Sequence, residues 1–166
     1  MKKKIILLLI IPFLLLACSM SNTPTSKVEE LFAKYQKLDN DIDMGINTVL
    51  DEQNLTDSHK ERYRKLLEDQ YRNLSYNIKD EIIDGNNATV IAEIKVTDYK
   101  QSISDLTFDS TIYTKESFDE MKLDRLEAAK DKVTYTLDLS LTKDSEGVWK
   151  LNALTNEQIK KIQGMY

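Results

Sequence analysis

One stretch restricts the fold more than any other. Val133, Tyr135, Leu137, Leu139 and Leu141 alternate without a break with Thr134, Thr136, Asp138, Ser140 and Thr142. Successive strand residues face opposite sides, so this run predicts a β-strand with one dry face and one wet face. A strand of that kind belongs to an antiparallel sheet whose apolar side is covered by helices. The polar turn Lys143 to Gly147 then leads into a partner strand, Val148-Trp149-Lys150-Leu151.

A second alternation lies upstream. Tyr76, Ile78 and Ile82 alternate with Asn77, Lys79 and Glu81, and Val90, Ala92, Ile94 and Val96 form the inward face of the following strand. Asp84-Gly85-Asn86-Asn87 between them tolerates positive φ and suits a hairpin turn. Elsewhere the period is helical. Ser26-x-x-Glu29 has the form of a capping box, and Val28, Leu31, Phe32, Tyr35, Leu38 and Ile42 follow at three- and four-residue spacing. A break or bend is expected over Asp39 to Gly45, with Ile46, Val49 and Leu50 on a shorter second piece. A further amphipathic helix covers about Asp57 to Asn73, with Leu55, Tyr63, Leu66, Leu67, Gln70 and Leu74 on its buried side. Ser117-x-x-Glu120 opens another, turning Phe118, Met121, Leu126 and Ala129 inward. Thr155-x-x-Gln158 caps a last helix that uses Ile159 and Ile162 and stops at Gly164.

Helices, a hairpin, a helical insertion over 98–130, a second hairpin and a terminal helix make an α+β domain rather than a parallel α/β one. The expected architecture is N-terminal helices packed on a curved antiparallel sheet of about four strands. This organisation resembles the nuclear-transport-factor-2-like, cystatin-like cone domains. The residues that carry the likeness are Thr23-Pro24, Asp84-Gly85 with Ala88-Thr89-Val90, and Gly147-Val148-Trp149-Lys150-Leu151. Such folds host enzymes, ligand binders and adaptors alike, so the resemblance implies an architecture and no particular activity.

The chain opens differently. Lys2, Lys3 and Lys4 precede an unbroken apolar run from Ile5 to Leu16 that contains Pro12 and ends at Ala17-Cys18. That is the layout of an export signal, and it falls short of the roughly 20 residues needed to span a bilayer. Leu15-Leu16-Ala17-Cys18 resembles the lipobox of bacterial lipoproteins. The resemblance implies that Leu15, Leu16 and Ala17 are the recognition residues, that the cut falls before Cys18, and that its sulfur carries diacylglycerol. Two acyl chains suffice for stable anchoring. Cys18 is the one cysteine among 166 residues, so an internal disulfide is impossible. The expected division is a signal peptide over 1–17, a lipidated cysteine and tether over 18–26, and one domain over 27–166. Eight tether residues, Ser19 to Ser26, reach about 26 Å when extended. The partner implied is the membrane, at its extracytoplasmic face.

Charge limits the other partners. The whole chain carries −5; without Lys2 to Lys4 it carries −8. An acidic body lacks the basic face that nucleic acid requires, and beside an anionic leaflet it is held off the lipid.

Sites for chemistry are sparse. Asp39-Asn40-Asp41-Ile42-Asp43 resembles the start of a calcium loop, but an EF-hand needs glycine and glutamate where Met44 and Leu50 stand. His59 is the single histidine, expected at the surface near the start of a helix, and no second imidazole completes a zinc site. There is no Gly-x-Ser-x-Gly elbow, and Gly45, Gly85, Gly147 and Gly164 form no phosphate cradle. Asp138 lies on the wet face and Tyr135 on the dry one, so the two point apart. Tyr35, Tyr63, Tyr76, Tyr135 and Trp149 all fall on inward faces, either as core or as the lining of a pocket. No catalytic, cofactor or metal residue is assigned. The expectation is a non-enzymatic domain contacting an envelope protein or a small ligand, with the Thr134, Thr136, Ser140 and Thr142 face either merely solvated or a docking surface. The alternative is an enzyme using a cavity of the cone.

Overall fold

A computed structural model describes residues 22–53 and 55–166; the lipobox Leu15–Cys18 and the signal segment lie outside the described residues. The elements are α1 (Pro24–Lys37), α2 (Asn40–Glu52), α3 (Asp57–Arg72), β1 (Ser75–Asp84), β2 (Asn87–Thr97), α4 (Tyr99–Ser102), α5 (Lys115–Ala128), β3 (Lys132–Lys143), β4 (Trp149–Leu151) and α6 (Asn156–Gln163). The strands form one open antiparallel sheet in the order β1-β2-β3-β4. The domain is α+β, with helices before the sheet and a short helix after it.

Alternation in β2 and β3 does what its pattern demands. Val90, Ala92, Ile94, Leu137, Leu139 and Leu141 are buried in one cluster with Val28, Phe32, Ile46, Leu50, Leu67 and Ile162. Each such side chain contributes about 1.5–3 kcal/mol on leaving water. The intervening Thr134, Thr136, Asp138, Ser140 and Thr142 are exposed. α1, α2, α3 and α6 therefore cover one face of the sheet, and the other face is wet.

Helix starts correct the sequence reading in two places. Thr23, not Ser26, caps α1, and Ser26 sits three residues in, returning a hydrogen bond to the Thr23 N–H at 3.1 Å. The helix thus begins at Pro24, within the stretch expected to be tether. Likewise Thr114, not Ser117, caps α5. Thr23 and Ser26 make the reciprocal bonds of a capping box, and Thr114 Oγ1 accepts from the Ser117 N–H, so in both helices the true cap lies one turn earlier. The break expected over Asp39 to Gly45 is confined to Leu38 and Asp39. Leu38 takes a left-handed conformation (φ 50°), Asp39 caps α2, and Gly45 lies inside that helix.

β1 holds a second correction. Its register against β2 shifts between Ile78 and Asp80. The bulge reverses which side each later residue faces, so Ile82 is exposed rather than inward. Glu81 instead comes opposite Val90 and accepts hydrogen bonds from the Thr25 N–H (2.8 Å) and Thr25 Oγ1 (2.7 Å). The first turn of α1 contains no acid of its own, and Glu81 supplies the negative charge its dipole favours.

The two ends of the sheet differ. At one end the hairpin turns meet, with the Lys143 N–H donating to Asn86 O at 2.8 Å. The described chain starts there: Asn22 Nδ2 donates to Gly147 O (2.8 Å) and Asn22 Oδ1 accepts from the Trp149 N–H (2.9 Å). At the other end the Asp98 N–H donates to Asp131 O at 2.8 Å and closes the neck of the insertion that carries α4 and α5. Eleven residues of β2 separate the ends by roughly 34 Å.

Candidate functional site

The five residues read as either core or pocket lining do not converge on one pocket. Tyr35 packs edge-on against Tyr71 with ring centres 4.9 Å apart, and Tyr76 stacks on Phe32 at 4.5 Å. Tyr135 meets Tyr166 edge-on at 5.8 Å and donates its hydroxyl to Tyr166 O. Tyr63 borders a cavity of about 30 Å³ between Leu55 and the α5 residues Leu123 and Leu126, room for a water molecule or two. Trp149 alone lines a sizeable space, an open groove of about 430 Å³ between α1 and β4. Its aromatic floor is shielded by the Lys143 ammonium, 4.5 Å from the ring centre. The cations along that groove are already matched: Lys27 with Glu30 (3.3 Å), Lys34 with Asp41 (3.5 Å), Lys150 with Asp144 (2.9 Å). Burial pushes the hydroxyls of Tyr35, Tyr63 and Tyr71 up, and that of Tyr99 to about 12. All four move away from the range useful for proton transfer near neutrality.

Carboxylates from the suggested calcium stretch serve the helices. Asp39 accepts from the Ile42 N–H as the cap of α2, Asp41 pairs with Lys34, and Asp43 accepts from Arg64 at 2.8 Å. Among the described residues no group of three His, Cys, Asp or Glu side chains is placed to hold a metal ion. Asp138 is exposed, and its main-chain oxygen accepts from Gln158 Nε2 at 2.7 Å. Asn152, Gln158 and Lys161 together occupy the carbonyls of Ser140, Asp138 and Thr136 along the free part of β3. That sheet edge is blocked rather than open for pairing.

The densest polar constellation joins α3 to α5. His59, expected at the surface, is 5% exposed. It occupies the third position of α3, on the face that α5 covers, and its Nε2 lies 2.7 Å from Glu120 Oε2. A carboxylate only accepts, so Nε2 donates; Nδ1 is buried and has no partner. One turn along, Arg62 binds Glu120 (2.6 Å), Asp124 (2.7 Å) and both oxygens of Glu127 (2.8 and 2.7 Å). The guanidinium holds the Glu127 carboxyl below its ordinary value, while these hydrogen bonds push the arginine up. No sequence expectation covers this clamp, although its signal is present. Glu120, Asp124 and Glu127 recur at helical spacing on one face of α5, and His59 and Arg62 do so on α3. These bonds fasten α3 to α5.

At the far end of α3, Gln70 is 2% exposed and behaves like a strand. Its Oε1 accepts from the Thr97 N–H (2.9 Å) and its Nε2 donates to Thr97 O (3.0 Å). Gly164, at φ 70°, closes over this pair, and its carbonyl accepts from the Lys100 N–H at 2.9 Å. Among the described residues no helix is long and apolar enough to cross a membrane. No protein-family model, curated protein or solved structure matches the chain.

Proposed function

We propose that the chain is an exported lipoprotein, held by diacylglycerol on Cys18, whose folded part is a non-enzymatic interaction domain on the extracytoplasmic face of the membrane. The carrying observation is the lone cysteine closing an apolar run, with Asn22, four residues later, bonded to the last hairpin. That leaves about 13 Å of chain at full extension, so the hairpin-turn end of the sheet faces the bilayer. A charge of −8 keeps the body off an anionic leaflet. The enzyme alternative needs a hollow lined by the inward tyrosines, and three of those rings are spent on packing, Tyr35 on Tyr71, Tyr76 on Phe32 and Tyr135 on Tyr166.

Mass spectrometry of the protein extracted from its own membranes tests the anchor. The expected first residue is Cys18 carrying diacylglycerol, and Cys18→Ser should abolish labelling by radioactive palmitate. A free thiol at Cys18, or an amino terminus elsewhere, overturns the reading.

A further inference from the structure

Hydrogen bonding in the last hairpin leaves one sheet edge unfinished. Lys150 pairs with Thr142, the Asp144 N–H donates to Val148 O (2.9 Å), and the Asn152 N–H donates to Ser140 O (2.9 Å). Val148, Lys150 and Asn152 therefore turn main-chain groups towards β3. Direction alternates along a strand, so Trp149 and Leu151 turn theirs away, towards the open edge. Two groups on that edge are taken, because the Asn22 side-chain amide donates to Gly147 O and accepts from the Trp149 N–H. Among the described residues, Trp149 O, Leu151 N–H and Leu151 O have no hydrogen-bond partner. The rest of the rim is different. Side chains block the free part of β3, and β1 carries a bulge that interrupts pairing.

The same edge lies beside a hollow. Val148, Trp149, Lys150 and Leu151, four residues in a row, line the 430 Å³ groove together with Leu31 of α1. Neighbours in a strand point to opposite faces, so a space that touches all four runs along the strand's edge. Main-chain valence chooses the occupant. An acceptor, a donor and an acceptor in a row, spanning roughly 7 Å, match the N–H and C=O groups of an extended polypeptide. The Asn22 amide already makes such a match on the neighbouring groups. Charge does not choose, because the lysines of the groove are paired within the domain. A second copy joined through a strand of three residues would bury far less than the ~800 Å² per partner of a stable dimer.

We infer that the free edge of β4 takes an extended segment of another protein as an added strand, its main chain on Trp149 and Leu151 and an apolar side chain in the groove beside Leu31. This names the partner class of the proposed interaction domain; the location of the partner rests on that reading, and the binding does not. Main-chain bonds supply the affinity, and the groove selects among side chains.

The test uses the full chain, nitrogen-15 labelled, in a non-ionic detergent. Two probes are added: a capped peptide of alternating valine and threonine, and its twin with every amide N-methylated. The first should shift the Leu151 amide signal and slow its hydrogen exchange about tenfold at saturation; the twin, which has no N–H to donate, should do neither. Raising salt to roughly 0.5 M should change the affinity less than twofold, since no ion pair forms. Leu151→Pro removes the outward donor at an edge position where proline is tolerated, and should weaken binding about tenfold. Ile112→Ser, at an exposed site on the insertion, should change nothing. Equal action of the two peptides, no binding, or an affinity indifferent to Leu151→Pro overturns the inference. So does a Leu151 amide already protected in the free chain, which would mean that the chain's own residues or a second copy cover the edge. Should Leu151→Pro fail to fold, the twin and the exchange rate still decide. None of these readings depends on lipid at Cys18, so the anchor and the strand site fail separately.

Discussion

Helix α3 is gripped twice, and the two grips work by different physics. Its C-terminal half is joined to the end of β2 and to α6 through Gln70, which satisfies both main-chain groups of Thr97 under the roof of Gly164. Its N-terminal half is joined to α5 through Arg62 and His59, whose carboxylate partners on α5 remain half in water. Beneath the second grip lies only a small apolar cluster, Leu66, Tyr99, Leu123 and Leu126. A buried, fully paired junction has no slack; charges near solvent are screened and replaceable. The sheet side should therefore behave as the rigid body, and the insertion as a unit able to open by itself.

The sharpest way to break this contrast is at Gly164. A Cβ there would stand 2.0 Å from Thr97 O and 2.5 Å from Gln70 Nε2, on a backbone with φ 70°. Neither the carbonyl nor the buried amide can retreat without losing its partner. Gly164→Ala should cost about 4 kcal/mol, combining overpacking with left-handed strain. Urea unfolding of the full chain measures it, and a loss below about 1 kcal/mol would mean that the junction yields.

Gln70→Leu comes next. It keeps the volume but strips the Thr97 N–H and C=O of their partners in a site closed to water. Two orphaned groups at about 1–3 kcal/mol each, softened by local rearrangement, predict a loss of about 3 kcal/mol. Gln70→Glu should do nearly as much harm, because a carboxylate cannot donate to the Thr97 carbonyl. If Leu at this position is neutral, the pair is ornamental and the contrast with the Arg62 grip disappears.

What was legible in the sequence follows the same division. The unbroken alternation at Val133–Thr142 and at Val90–Val96 fixes the sheet and its dry side because burial repeats every second residue. Leu66, Leu67 and Gln70 come out on the buried side of α3 by the same logic at helical spacing. Ile82 fails because a bulge at Ile78/Asp80 shifts register without leaving a mark in residue type. Thr23 and Thr114 fail because serine at the third helical position imitates a cap, and the search then stops one turn late. His59 fails because its burial is caused by a helix sixty residues away that meets it through Glu120. The tyrosines show a further limit: inward direction is readable from spacing, but whether inward rings enclose a hollow or fill it depends on the partner rings Phe32, Tyr71 and Tyr166. Phe118, expected inward, is half-buried and packs on Phe108 and Tyr113 of the preceding loop rather than in either apolar cluster.

The smallest expected effect sharpens the comparison most. Arg62→Ala should lower global stability by only about 1 kcal/mol, because each of its ion pairs is partly solvated. Its consequence should be local: amide exchange along α5 should quicken while that of β2 and β3 stays unchanged. Acid should imitate the substitution. Glu127 is held below its ordinary value of 4.5, chiefly by its hydrogen bonds from Arg62. A folded value lower than the unfolded one contributes stability that is fully present above pH 4.5 and is lost as pH falls through the folded value. On the Glu127 carboxyl itself the Asp124 charge acts upward and the Lys65 charge downward, and the arginine's hydrogen bonds outweigh both. Below pH 4.5, α5 protection in the parent chain should fall towards that of Arg62→Ala, and the variant should show a weaker acid response. Equal acid sensitivity in α5 and β2, after correction for intrinsic exchange rates, would mean that both grips release together and that the insertion has no independent stability.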